Sequence, residues 1–134
     1  LGFAVANETI TKALRAVKSP YNVNTVTQEI GRIIFSHNEY LTKTKNYIVT
    51  QRQSLYNSVA ELAQHYPELF AVVDGCSNFV FIKSPVSKQL FDYLLSQGTA
   101  IRYMGDYIRI TAGTDDENKT LISQMNDFCR SLKD

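Results

Sequence analysis

Tryptophan is absent from this chain of 134 residues, and cysteine, histidine and methionine occur only twice each. Two cysteines, Cys76 and Cys129, cannot supply a disulfide framework, and they have no metal-ligand spacing with His37 and His65. They read as reduced, partly buried thiols of a cytoplasmic protein. Charge of one sign is also missing: 14 Lys and Arg face 13 Asp and Glu, a formal net charge of +1. Neutralising a phosphate backbone takes clustered Lys and Arg, so no nucleic-acid partner is expected. No apolar run approaches the roughly 20 residues that span a bilayer, so no membrane partner is expected either. The glycines are scattered (Gly2, Gly31, Gly75, Gly98, Gly105, Gly113), which excludes a glycine-rich phosphate loop. No internal repeat, low-complexity segment or nucleophile–base arrangement is present. There is no initiator methionine. The chain opens inside an apolar run, Leu1-Gly2-Phe3-Ala4-Val5-Ala6, without the basic flank of a signal peptide. That opening reads as the end of a strand, and the expectation is a piece of a longer protein.

Hydrophobic residues at 44% and charged residues at 20% fit one compact domain. Asn7 is a good N-cap, with Ile10, Leu14 and Val17 marking one face of the helix that follows, and Ser19-Pro20 ends it. A second helix is expected from Asn24 or Thr25 to about His37, with Val26, Ile30, Ile33 and Ile34 apolar. Asn38 is expected to cap a third, longer helix, where Leu41, Ile48, Leu55 and Leu62 recur every seven residues. After Pro67 the period changes. Phe70–Val73 and Phe79–Ile82 are strand-like, with Asp74-Gly75 as a turn. Ser84-Pro85 is expected to open another helix, with Leu90, Phe91, Leu94 and Leu95 apolar and Gly98 closing it. Ala100–Tyr103 and Tyr107–Ile110 read as a strand pair. Thr114 and Glu117 have capping-box spacing for a last helix that packs Leu121, Ile122, Met125 and Phe128. The order predicts an α+β domain, a short and mostly antiparallel sheet packed by helices with one long helix.

Arg102 and Arg109 each interrupt a strand-like apolar run. Alternation sets Arg109 on the face opposite Ile108 and Ile110. Two guanidinium groups on adjacent strands can hold a substrate with two anionic ends, or can simply face solvent. Asn78, ahead of Phe79–Ile82, can bind a ligand or a turn, and Tyr21, in the connector after Pro20, can donate to an anion or pack.

Five segments in order carry a family resemblance across the whole chain. Leu1–Glu8 looks like a strand and helix start. Lys18-Ser19-Pro20-Tyr21-Asn22-Val23-Asn24 resembles K-x-P-Y-N-x-(N/S). Ser77-Asn78-Phe79-Val80 resembles (S/A/T)-N-F-(V/I/L), and Gly98-Thr99-Ala100-Ile101-Arg102 resembles G-(I/V)-x-(V/L)-R. Tyr107 to Asn118 resembles (L/Y)-(L/I)-R-(I/V)-(T/S)-x-G-T-x-x-(E/D)-N. These are similar to the C-terminal third of class I/II pyridoxal-phosphate-dependent aminotransferases, in particular the histidinol-phosphate aminotransferase branch. The resemblance implies residues 1–6 as a strand remnant of a larger cofactor domain and residues 7–134 as the small C-terminal domain of a fold-type I enzyme. It implies that Arg109 holds the substrate α-carboxylate, that Arg102 helps hold the substrate phosphate, and that Tyr21 and Asn78 lie at the substrate site. It further implies pyridoxal 5'-phosphate as cofactor, histidinol phosphate and glutamate as substrates, and a homodimeric parent. The family's Schiff-base lysine motif ends where Leu1 and Gly2 match it, and Lys12 and Lys18 match no cofactor position. The chain itself is therefore expected to be inactive, with no catalytic or cofactor-binding residue and no metal site. A related aminotransferase, a threonine-phosphate-type decarboxylase and a free-standing small-molecule-binding module are the alternatives.

Overall fold

A computed structural model describes Gly2 and residues 4–133; Leu1, Phe3 and Asp134 lie outside the described residues. The strand expected at Leu1–Ala6 therefore falls partly outside them. Gly2 and residues 4–6 are exposed and hold no regular secondary structure. The chain divides into two compact units, Leu1–Thr44 and Lys45–Asp134.

The first unit is helical. Helix α1 spans Glu8–Val17 and α2 spans Thr25–Ser36. Each starts where an asparagine satisfies a free backbone donor. Asn7 accepts from the Ile10 N–H at 3.0 Å and Asn24 from the Thr27 N–H at 2.8 Å. Helix α3 spans Asn38–His65 and continues into the second unit. Asn38 is its first helical residue rather than its cap. His37 holds the cap position, its carbonyl accepting the Leu41 N–H at 3.2 Å. α1 buries none of its residues and α2 only Gly31, so the apolar faces at Ile10, Leu14 and Val17 and at Val26, Ile30, Ile33 and Ile34 stand exposed.

The second unit is α+β. Strands β1 (Ala71–Val73), β2 (Phe79–Lys83), β3 (Arg102–Met104) and β4 (Tyr107–Thr111) form one antiparallel sheet in the order β1-β2-β4-β3. Helix α4 (Ser87–Ser96) lies between β2 and β3 in sequence, and α5 (Asp115–Ser131) follows β4. Alternation divides the sheet. Val80, Ile82, Ile108 and Ile110 are buried with Leu55, Val59 and Leu62 of α3, Leu90 and Leu94 of α4, and Leu121, Met125 and Phe128 of α5. Burying one such side chain stabilises the fold by about 1.5–3 kcal/mol. Of the expected apolar faces, Ile122 and Phe91 are only partly buried, and Ile48 and Leu95 remain exposed.

α4 starts two residues later than Ser84-Pro85 predicted. The buried Ser84 hydroxyl accepts the Val86 N–H at 3.2 Å and its carbonyl accepts the Ser87 N–H at 3.3 Å, so Pro85 sits in a turn ahead of the helix. Gly98 does close α4, at φ +80°, and Thr114 with Glu117 forms the expected capping box of α5. Among the described residues, no helix is long and apolar enough to cross a membrane.

Candidate anion-binding face

Whatever lines one face of β2 and β4 must be polar or aromatic, because the other face is given over to the core. Phe79, Phe81 and Lys83 of β2 pair with Thr111, Arg109 and Tyr107 of β4. Arg102 and Met104 of β3 pair with Arg109 and Tyr107. Arg102 and Arg109 are therefore directly opposite each other on one face of the sheet, in one row with Phe81. Side chains so placed start about 5 Å apart.

Two like charges set opposite each other destabilise a sheet unless an anion joins them. No acidic partner of either arginine is found among the described residues. Arg102 is exposed. Arg109 is half-buried, with its guanidinium over the Phe79 ring at 5.0 Å and its Nε buried without a hydrogen-bond partner. A buried N–H left unpaired is uncommon, and here it belongs to a group whose strongest partners are carboxylate and phosphate. Beside it Phe81 stacks on Tyr107 at 5.0 Å, with the Lys83 ammonium 6.0 Å from the Tyr107 ring. A cavity of about 380 Å³ lies between Arg109, Phe79, Phe81 and the connection at Asp74 and Gly75. A second, about 680 Å³, is shared by both arginines with Thr99, Thr111, Gly113 and Asn118.

The hairpin that carries the arginines is fixed at its tip. Gly105, at φ +65°, lets the chain reverse between Met104 and Tyr107. The buried Ser87 hydroxyl donates to the Gly105 carbonyl at 2.6 Å, and the Ser84 N–H to the Asp106 carbonyl at 2.8 Å. At the far end of β4, the Asn78 carbonyl accepts the Ala112 N–H at 3.0 Å. The buried Asn118 grips Gly113 by both backbone groups, at 2.9 and 3.3 Å, and donates to Gln51 at 3.1 Å.

Of the four residues singled out in the sequence, Arg102 and Arg109 are paired, and Asn78 stands beside the end of the same strand with its side chain exposed. Tyr21 belongs to the first unit. It is 95% exposed and has φ +63°, the one non-glycine residue with positive φ among those described. Left-handed backbone at a tyrosine costs about 1–2 kcal/mol, which marks a constrained position. Arg52 escaped the sequence reading. Its guanidinium lies over the Tyr56 ring at 4.9 Å and donates to the Gly75 carbonyl, and its Nε is also buried and unpartnered. Only its place beside the apolar stripe of α3, four residues after Ile48 and three before Leu55, was visible in the sequence.

The arrangement can bind and orient anions. No group of three or more metal-ligating side chains occurs among the described residues. Cys129 is buried and its thiol is pushed up to about 11, by burial first and then by the nearby Glu68 carboxylate, the opposite of an activated nucleophile.

Residues 1–125 match the family model described as aminotransferase class I and II. The chain is 31% identical over 133 residues to histidinol-phosphate aminotransferase 1 of Carboxydothermus hydrogenoformans, covering 96% of this chain and 36% of that protein. It thus spans about a third of the length of the curated relatives it matches. Histidinol-phosphate aminotransferase from Sinorhizobium meliloti, solved in complex with pyridoxal-5'-phosphate, superimposes with a TM-score of 0.73 at 19% identity, covering 92% of this chain and 35% of that one. L-threonine-O-3-phosphate decarboxylase from Porphyromonas gingivalis superimposes with a TM-score of 0.66 at 21% identity, covering 94% and 40%. At these identities the two structures establish the fold alone.

Proposed function

The chain belongs to the class I and II aminotransferase family, and on that premise we propose that it is the substrate-anion-recognising part of a histidinol-phosphate aminotransferase. The reaction is amino-group transfer between histidinol phosphate and 2-oxoglutarate, in a homodimeric cytoplasmic enzyme of histidine biosynthesis. The observation that carries this reading is the cross-strand pair Arg102–Arg109, two guanidinium groups with no acidic partner among the described residues.

Arg109 takes the α-carboxylate, a planar two-point acceptor suited to a guanidinium placed over the Phe79 ring. Arg102, on the exposed edge strand, takes the phosphate of histidinol phosphate. Tyr21 and Asn78 are the further substrate contacts. The chain's own work is to bind and orient, which lowers the barrier by fixing the reacting groups. Pyridoxal phosphate, when bound, supplies the electron sink. The described residues do not fit it. Its Schiff-base lysine must be desolvated, whereas Lys12 is exposed and paired with Glu8 at 2.9 Å, and Lys83 is exposed beside Tyr107.

The test is the ratio of the two half-reactions, followed by cofactor spectra in single turnovers of the intact enzyme. Histidinol phosphate has no α-carboxylate, so Arg109→Ala slows the glutamate half-reaction most. Arg102→Ala raises the KM for histidinol phosphate. Each loss is about 2 kcal/mol or more. Arg109→Ala slowing the histidinol-phosphate half-reaction far more than the glutamate one contradicts the assignment.

One observation favours a second reading. The two arginines stand directly opposite each other, which suits a single substrate bearing carboxylate and phosphate together, as phosphothreonine does. Release of carbon dioxide from phosphothreonine by the intact enzyme selects that decarboxylase reading.

A further inference from the structure

β3 is three residues long, lies at the edge of the sheet and is exposed throughout, yet it carries Arg102. Three cross-strand pairs with β4 are all the sheet gives it. Tyr103 adds a ring contact with Phe91 of α4 at 5.9 Å, and for the rest the position of β3 depends on how the chain is held at either end. The tip is bolted to Ser84 and Ser87. The entry is the five-residue passage from Gln97 to Ile101, and one residue dominates it.

Thr99 makes two bonds there. Its N–H donates to the Leu94 carbonyl at 2.8 Å, and its hydroxyl donates to the Gln124 side-chain carbonyl on α5 at 2.7 Å. Gln124 returns its amide to the Gln97 carbonyl at 3.4 Å, so one side chain spans both ends of the turn that Gly98 makes. Thr99 and Gln124 are half-buried, where a side-chain bond counts for more than at the surface. Between Thr99 and Arg102 only Ile101 packs against the core. Three residues of extended chain span about 10 Å.

We propose that the Thr99–Gln124 hydrogen bond is a positioning device for Arg102: it ties the entry of the edge strand to α5 and so fixes where the guanidinium meets the substrate phosphate. The proposal rests on Arg102 being the phosphate contact. Thr99 lines the cavity that both arginines share, but its hydroxyl is taken up by Gln124. It acts through the backbone that leads to Arg102, and Arg109, held between β2 and β3 in the sheet interior, does not depend on it.

The readout is the preference of the intact enzyme for histidinol phosphate over histidinol, as the ratio of kcat/KM values. Thr99→Val keeps the shape and removes the donor, and Gln124→Leu breaks the same bond from α5. Each is expected to cut the preference about fivefold, the equivalent of one hydrogen bond, through KM rather than kcat. Thr99→Ser keeps the donor and restores the preference. In an Arg102→Ala background Thr99→Val is expected to change nothing further, because its route to the phosphate is already gone. An equal loss on both substrates, a full effect in the Arg102→Ala background, or no change of preference in either variant overturns the proposal. Failure of Arg102→Ala itself to lower the preference sinks the reading of Arg102 instead. If Thr99→Val does not fold, Gln124→Leu decides.

Discussion

Arg102 and Arg109 face each other because β3 and β4 pair in a register that a two-residue turn at Gly105-Asp106 imposes. The same register makes them repel. Arg102→Ala in the ligand-free chain is therefore expected to raise the unfolding temperature at low ionic strength, by an amount worth about 0.5 kcal/mol. The gain should fade as salt screens the pair. Thermal melts of both proteins between low and high salt check this, and a lower Tm for the variant at every salt concentration would show that the pair does not repel. Alternation made Arg109 legible in the sequence, since a charge between Ile108 and Ile110 has to leave the core. Neither Arg52 nor the φ of Tyr21 was legible. Arg52 matters through a contact 23 positions away in the chain, and a backbone torsion leaves no trace in residue type when the residue is not glycine or asparagine.

Local signals located the elements well wherever a side chain closes its own backbone. Asn7, Asn24, Gly98 and the Thr114–Glu117 box all act as expected. Those that misled are places where a nearby alternative won: the Ser84 hydroxyl makes a turn before α4, and His37 displaces Asn38 from the cap of α3. β3 is shorter than its apolar run because the chain meets β4 only from Arg102 onward. The box of α5 gives a pH prediction. The Glu117 carboxylate is held below its ordinary value of 4.5, first by the Thr114 N–H and then by the Thr114 hydroxyl. A depressed carboxylate stabilises the fold above its ordinary value, and that contribution is lost as pH falls below it. Thr114→Ala removes the cap and should cost about 1 kcal/mol near neutrality. The gap between variant and parent should narrow below pH 4.5 in denaturant melts. A gap that is unchanged at low pH would mean that the carboxylate takes no part.

At the scale of the whole molecule, two sets of features stand without partners among the described residues. The apolar faces of α1 and α2 are exposed, and the arginine face of the sheet carries cations that no described carboxylate pairs with. No residue described here forms a desolvated lysine site. Pyridoxal phosphate added to the chain and reduced with borohydride should thus leave no stoichiometric adduct at Lys12, Lys18 or any other single lysine; peptide mapping that finds one contradicts this. The α+β order was legible because the hydrophobic period changes sharply after Pro67. The one-sided coverage of the sheet was not, since it depends on three helices converging from distant parts of the sequence. That coverage has a consequence in time as well as in space. β4 runs through the sheet interior with its inner side chains sealed, while β3 lies at a margin with one neighbour. Amide protons of Ile108 and Ile110 should exchange with solvent orders of magnitude more slowly than those of Tyr103 and Met104, and equal rates would contradict it. The proposed carboxylate clamp then stands on a strand with two neighbours and the proposed phosphate contact on a strand with one. One hold is kept in place by the sheet itself and the other only by the ties at the two ends of its strand, so the proposed site has one post set in the wall and one held by guy ropes.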